Sequence, residues 1–392
     1  MIRKICWLFV LLFACPAFAL GPVLIGLDAE FGHKTSTSAQ AVQQGMQIAI
    51  DEINQAGGVL GGRPLQLVIR DNRSVTAIGV DNLRELAAIP DLVAVFGGKF
   101  SPVYVECLPV AHELGIPLLD PWGSADSITD HDHRPSYTFR LSLKDAWAGP
   151  AFVQFAREHH KASRLGVLLP NTAWGRSNQS AIAKAAALAG ISLVGQRWYN
   201  WGDTSLIAQY RELLAAGAQV LILVANESEG SVLVREMAAL PAAERLPIIR
   251  HWGVTGGDFA RMTGEALHEI DFAVIQTYTF IGQETASARR VLAALQRNHG
   301  VQQADQVRSP VGVAQAYDLT HLLARAIARA GSTDRRRIRD ALEQLGAHDG
   351  LVQRYVRPFT AERHDALSPS RLFFARYTAD DRLIPVGRAP GP

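Results

Sequence analysis

Three groups of residues in this chain are of a type and spacing that could do chemistry. Gly57, Gly58, Gly61 and Gly62 crowd into GMQIAIDEINQAGGVLGGRPLQLVIRD (residues 45–71), as the glycines of a phosphate-cradling loop do. His131-Asp132-His133 and His159-His160 carry metal-ligating side chains. Ser101 in GGKFSP and Ser124 in DPWGS stand near expected helix starts, where a hydroxyl and free backbone N–H groups together suit a carboxylate.

What each group can do depends on the elements around it. A phosphate loop needs its glycines between a strand and the N-terminus of a helix. Here they follow a helical segment: Gly57 fits the left-handed position that ends a helix, and the rest turn the chain into the next strand. No Lys-Ser/Thr pair follows, which excludes a P-loop. Neither histidine pair has the i, i+4 spacing that sets two ligands on one helix face, and DHDHRP reads as a polar loop. There is no Gly-x-Ser-x-Gly elbow. Neither an enzyme nor a metal or cofactor is expected.

The positioning elements alternate in type. Val23–Leu27 reads as a strand and Ala39–Gln55 as a helix with Val42, Met46, Ala49, Ile50 and Ile53 on one face. Strand Leu65–Ile69, helix Ala77–Ala88, strand Leu92–Phe96, helix Val103–Leu114 and strand Ile116–Leu119 follow. The pattern then restarts: strand Arg164–Leu169, helix Ser177–Ala189, strand Ile191–Gln196, helix Leu206–Ala216, strand Val220–Val224, helix Gly230–Leu240 and strand Pro247–Ile249. Such alternation implies parallel sheets covered by helices. Two similar units in tandem predict two lobes of one architecture. A strand over Phe272–Ile281, helices Ala286–Asn298, Val311–Ala330 and Asp334–Leu345, and strands Arg371–Tyr377 and Leu383–Val386 are too few for a third unit. They read as additions to the two lobes, which makes the chain cross between them several times.

The stretch 45–72 resembles the N-terminal signature of the leucine/isoleucine/valine-type periplasmic substrate-binding proteins of ABC transporters. Further segments match in order: AVFGGKFSPVYVECLPVAHELGIPLLDPWGSA (94–125), YTFRLSLKDAWAG (137–149), LGVLLPNTAWGRS (165–177) and AYDLTHLLARAIARAGSTDRRRIRDALEQLG (316–346). The resemblance implies an α/β type I binding protein, two doubly wound parallel-sheet lobes joined by a three-segment hinge. Lobe one would hold 20–141 plus 280–350, and lobe two 142–279 plus 351–392. It also implies a monomer that closes on a small carboxylate-bearing solute, an amino acid or an aromatic or organic acid, and delivers it to a membrane permease. A ligand-sensing protein of the same fold, acting for a signalling partner, is the rival reading.

By the same resemblance the carboxylate-binding serine falls on Ser101, a small residue and hydroxyl on Gly123 and Ser124, and the aromatic of the first loop on Phe31. The alternative is that both serines are ordinary helix caps. In lobe two, loops after predicted strands supply Trp174, Glu227 and Trp252. Amino-acid binders carry a carboxylate for the ligand ammonium near Trp252, and this chain has none there. Either Glu227 or Glu229 substitutes, or the ligand has no ammonium. Trp122, Trp174 and Trp252 point to a ligand flatter or larger than valine, or else pack the lobe interface. Lys99 stands where it can pair with a second ligand anion or remain a solvated surface lysine.

The first residues, MIRKICWLFVLLFACPAFALGP, read as a secretory signal peptide (1–19): basic Arg3 and Lys4, an apolar run, and Ala17-Phe18-Ala19 as the cleavage site. Leu12-Phe13-Ala14-Cys15 is the competing lipoprotein box, with Phe13 bulky for its place and Pro16 directly after Cys15. Without Arg3 and Lys4 the chain carries 37 basic against 37 acidic residues, which argues against nucleic acid and charged membrane surfaces. Cys107 would be the remaining cysteine, so a hydrophobic core must supply the stability in an exported, soluble periplasmic protein.

Overall fold

Two sheets wound in the same order divide the chain. In the computed structural model, which describes residues 21–387, 389 and 390, strands β1 (Val23–Ala29), β2 (Leu65–Asp71), β3 (Leu92–Gly97), β4 (Leu118–Asp120) and β5 (Thr138–Arg140) form a parallel sheet ordered β2-β1-β3-β4-β5. Helices α1 (Ser38–Gln55), α2 (Thr76–Ala87) and α3 (Ser101–Leu114) connect its first four strands. After α4 (Asp145–His160) the second sheet repeats the order as β7-β6-β8-β9-β10. Its strands are β6 (Arg164–Pro170), β7 (Ser192–Tyr199), β8 (Val220–Leu223), β9 (Ile248–Arg250) and β10 (Phe272–Gln276). Helices α5 (Ala173–Ala189), α6 (Ile207–Ala215) and α7 (Glu227–Ala238) connect them, and the short α8 (Phe259–Thr263) precedes β10. The signal-peptide reading falls on residues outside those described.

Hydrophobic pattern explains the layering. Every residue of β3 and β8 is buried, as central parallel strands covered on both faces require, whereas edge strands β2 and β7 are mixed. On one face of the first sheet Val95 and Leu118 pack with Leu83, Leu86, Val103 and Cys107 of α2 and α3. On the other, Val93 and Phe96 belong with Val42 and Met46 of α1 and with Val313 of α10 (Pro310–Ala330). Each such aliphatic side chain, fully buried, contributes roughly 1.5–3 kcal/mol. Gly45 lets α1 and α10 touch: a Cβ there would lie 2.1 Å from the Val313 carbonyl oxygen. Gly57 and Gly58, at φ +105° and +71°, end α1 as the sequence predicts.

The C-terminal third serves both sheets. Helices α9 (Ala286–His299), α10 and α11 (Arg335–Glu343) pack on the first lobe. The hairpin β11 (His348–Asp349) and β12 (Arg354–Tyr355) follows; β13 (Phe373–Tyr377) then joins the second sheet antiparallel to β10, and β14 (Leu383–Pro385) pairs antiparallel with β13 at its edge. The chain thus passes between lobes three times, and each passage is tied down. After β5, Arg140 N–H donates to the His364 carbonyl and Ala366 N–H to the Arg140 carbonyl, both at 2.8 Å. After β10, Gln315 Nε2 of α10 donates to Thr277 Oγ1 at 2.8 Å. At the third passage the buried Asp318 carboxylate accepts from Leu351 N–H, Val352 N–H and Tyr355 Oη at 2.6, 2.8 and 2.7 Å.

Boundaries differ from the sequence reading in instructive places. α3 begins at Ser101 rather than Val103, because Pro102 fits the first turn of a helix. β7 runs on to Tyr199 instead of stopping at Gln196, so its following loop starts later than expected. β10 ends at Gln276, and the rest of the expected strand to Ile281 is the second passage between lobes. No helix among the described residues is long and apolar enough to cross a membrane.

Candidate functional site

In doubly wound sheets the carboxyl ends of the strands gather loops and helix N-termini around the point where the winding reverses. Here those points lie between β1 and β3 and between β6 and β8, and the two carboxyl edges face each other. The seam between them is hydrogen-bonded directly. Thr37 N–H donates to the Gly256 carbonyl at 2.7 Å, Asp258 N–H to Thr35 O at 3.2 Å and Ser309 Oγ to Thr255 O at 2.8 Å. Asp126 N–H donates to Ser177 Oγ at 2.9 Å.

Ser101 opens α3, with Phe100 as the capping residue and no side-chain cap bond. Its hydroxyl oxygen instead accepts from the N–H groups of Ser124 and Ala125, at 3.1 and 3.2 Å, and so fastens the loop after β4 to the loop after β3. That loop is shaped from below by Asp120, whose Oδ1 accepts from Trp122 N–H and Gly123 N–H. Complete burial raises the Asp120 carboxyl to about 7, against the pull of the Arg140 charge and these two N–H groups. Gly123 is small by necessity, since a Cβ would come within 2.9 Å of Ile128 and 3.0 Å of Asp120. Ser124 Oγ has no hydrogen-bond partner among the described residues.

A residual cavity of about 10 Å³ lies between the edges, roughly one water-sized sphere. Ser101, Ser124 and Trp122 line it from the first lobe, and Trp174, Trp201 and Trp252 from the second. The indole N–H groups of Trp122, Trp174 and Trp201 are buried without an acceptor among the described residues. Buried donors are ordinarily satisfied, and an orphaned one costs ~1–3 kcal/mol. Four indoles and two hydroxyls therefore surround a small space that carries donors in excess of acceptors.

Lys99 also lines the cavity and is 5% exposed, so it is not the solvated surface lysine that the sequence left open. Its ammonium bonds Glu227 Oε2 at 2.7 Å across the seam, and its Nζ lies 5.0 Å from the Phe100 ring centroid. Glu227, fully buried at the first position of α7, also accepts from Thr35 Oγ1 at 3.2 Å, with His33 Nδ1 3.9 Å away. A carboxylate suits the positive end of a helix. Two glycines make the contact possible. A Cβ on Gly256 would lie 2.6 Å from Lys99 Cδ, and one on Gly257 would lie 2.7 Å from Glu227 Cγ.

Of the residues singled out from sequence, Lys99, Ser101, Trp122, Ser124, Trp174 and Trp252 all line this cavity, with Gly123 beside them in the loop. Glu227 lies behind Lys99 and does not line it. Phe31 is partly exposed, packs on the core and is not brought to the cavity; the aromatic of its loop that reaches the seam is His33, 5.8 Å from Phe100. Phe100, Trp201 and Asn226 line the cavity and were not anticipated. Trp201 hid behind the early end assigned to β7, and its ring meets Phe100 edge-on at 5.2 Å. Beneath Trp174, His251 Nε2 pairs with Asp145 Oδ1 at 3.0 Å, and Asp145 N–H donates to Ser124 O. Larger hollows of about 490 and 780 Å³ occur elsewhere. They are surface grooves that include neither the serines nor the indoles.

Comparison with known proteins agrees with this architecture. Residues 22–381 match the family model described as periplasmic binding protein. The Leu/Ile/Val-binding protein homolog 1 of Brucella abortus (strain 2308) is 24% identical over 329 residues, covering 84% of each chain. The structure of a type 1 periplasmic binding protein from Bordetella pertussis Tohama I superposes with a TM-score of 0.83 at 19% identity, over 93% of this chain and 99% of that one. An ABC-transporter solute-binding protein from R. palustris, in complex with benzoate, superposes at 0.75 with 16% identity, over 95% and 98%.

Proposed function

This chain belongs to the periplasmic binding protein family, and from that premise we propose that it is the solute-capturing component of an ABC importer, closing two lobes on a small carboxylate. The observation that carries the reading is the donor excess around the cavity. Two serines line it beside the N-terminus of α3, and three of the tryptophans that line it have indole N–H groups with no acceptor among the described residues. A carboxylate is the small organic group that consumes most donors per atom. Each charge-assisted bond is worth ~1.5–3 kcal/mol and the helix terminus adds ~0.3–1 kcal/mol. Leucine and benzoate, named as ligands of two similar proteins, both carry that group.

In this reading lobe one comprises 20–141 with 280–350 and lobe two 142–279 with 351–392, and the hinge is formed by the three tied passages. Ligand held by both edges favours the closed arrangement by its differential affinity for it. The protein is released to the periplasm after cleavage before Leu20, acts as a monomer, and hands its ligand to a membrane permease. Mass spectrometry of small molecules that copurify with the exported protein, followed by calorimetric titration of a panel of acids, tests the reading. An anionic ligand bound at one site per chain supports it, whereas tight binding of a neutral or cationic solute alone overturns it.

A further inference from the structure

The cavity wall carries one ionisable side chain among the described residues, and that side chain is a cation, Lys99. Its charge is already spent. Lys99 Nζ lies 2.7 Å from Glu227 Oε2, with the side chains 3% and 0% exposed. The pair joins the two lobes, so it forms as they meet. The other acids nearby are engaged too. Glu229 accepts from Gly202 N–H at 2.9 Å, Glu30 from Ser38 Oγ and from Lys99 N–H, and Asp145 pairs with His251. Asp120 lies fully buried under the loop of Trp122, beside the charge of Arg140. None of these carboxylates lines the cavity.

We propose that Lys99 determines the charge type of the ligand: by holding Glu227 it takes the place a ligand ammonium would need, so the solute is a carboxylate without an α-ammonium group. The inference rests on the carboxylate reading given above. An α-amino acid would bring a second cation to a closed, indole-lined space in which the nearest acid is already neutralised. An ammonium buried without a counter-ion is strongly disfavoured. A deaminated acid of the same skeleton presents the same carboxylate to Ser101 and Ser124 and places only apolar surface against the rings. Lys99 acts here on specificity, through Glu227, while the hydroxyls provide the common anchor.

The test is a matched panel titrated calorimetrically into the full-length mature protein: leucine against 4-methylpentanoate, phenylalanine against 3-phenylpropanoate, and tryptophan against 3-indolepropanoate. Wild type is expected to prefer the deaminated member of at least one pair by about tenfold or more. Lys99→Met, which frees Glu227, is expected to shift that ratio toward the amino acid by at least about tenfold. The double variant Lys99→Met with Glu227→Gln removes both charges and should return to the wild-type preference, which separates specificity from damage to the fold. Thermal melts accompany each variant. A wild type that binds the amino acid as tightly as its deaminated partner overturns the inference, as does a ratio unmoved in Lys99→Met. Failure of wild type to bind any acid of the panel, with neutral solutes bound instead, overturns the carboxylate reading itself.

Discussion

Trp122, after β4 of the first sheet, and Trp252, after β9 of the second, stand with ring centroids 5.8 Å apart and planes tilted by 47°. Both are 1% exposed, so neither ring keeps its surroundings if the lobes part. Such a pair contributes ~0.5–1.5 kcal/mol beyond the area it buries. Indole emission should therefore shift to the blue and saturate as ligand closes the lobes, with small-angle scattering giving a smaller radius of gyration. In Trp252→Ala the affinity for ring-bearing acids should fall more than that for short aliphatic ones. A saturating ligand that changes neither emission nor scattering would count against closure.

The two serines should separate binding from folding. Ser124 Oγ has no protein partner among the described residues, so Ser124→Ala should lower affinity by ~1.5–3 kcal/mol, roughly 10–150-fold, and leave the melting temperature nearly unchanged. Ser101→Ala leaves the Ser124 and Ala125 N–H groups unpaired and should cost ~1–3 kcal/mol of stability as well. Calorimetry and melting curves on both variants decide. Equal behaviour of the two would dissolve the distinction.

Acid should loosen the first passage between lobes. Burial pushes the Asp365 carboxyl up, but the charges and hydrogen bonds of Arg140 and Lys144 outweigh it and hold it at about 2, below the ordinary 3.8. A folded-state value below the unfolded one gives stability that is complete above 3.8 and lost as pH falls through about 2. Asp365→Asn leaves buried Arg140 unpaired and should cost ~3–5 kcal/mol at neutral pH, while flattening the acid limb of the stability curve. Denaturant titrations between pH 2 and 7 report both effects.

Arg250 should be dispensable for folding. It is fully buried, none of its guanidinium nitrogens has a hydrogen-bond partner among the described residues, and burial pushes its pKa down to about 9. The rings of Phe259 and Phe272, at 4.5 and 4.7 Å, face its charge. At pH 7, below that lowered value, the chain bears the cost of keeping the cation inside. Arg250→Met should thus be neutral or stabilise by up to about 4 kcal/mol. A variant destabilised by more than about 1 kcal/mol in chemical unfolding would show that the ring contacts outweigh the burial cost.

Much of this architecture is legible in the sequence because central strands announce themselves. The all-apolar Leu92–Phe96 and Val220–Val224 runs can only be strands covered on both faces. Edge strands are harder: in β7 exposed Ser192 is followed by six half-buried residues, and polar Gln196 and Arg197 interrupt the apolar run before Trp198 and Tyr199, so the strand reads as ending early and Trp201 falls outside the loop expected after it. The cavity-lining serines and tryptophans were visible because each follows a strand in a short loop. The partner of Lys99 was not, because Glu227 lies 128 positions away and meets it only when two lobes touch. In the first loop the resemblance points to Phe31, which packs on the core, while His33 is the ring that lies near Phe100.

That both lobes are completed by the C-terminal third of the chain bears on how it is born. A polypeptide emerging N-terminus first, from a ribosome or a membrane pore, delivers α1 with Val42 and Met46 long before Pro310–Ala330 arrives to cover that face. The second sheet likewise waits for β13 to pair with β10. Contacts this distant in sequence form slowly. Exposed apolar faces in the meantime invite aggregation and chaperone capture. Each lobe thus gains its last packing element only when the C-terminal third of the chain has emerged.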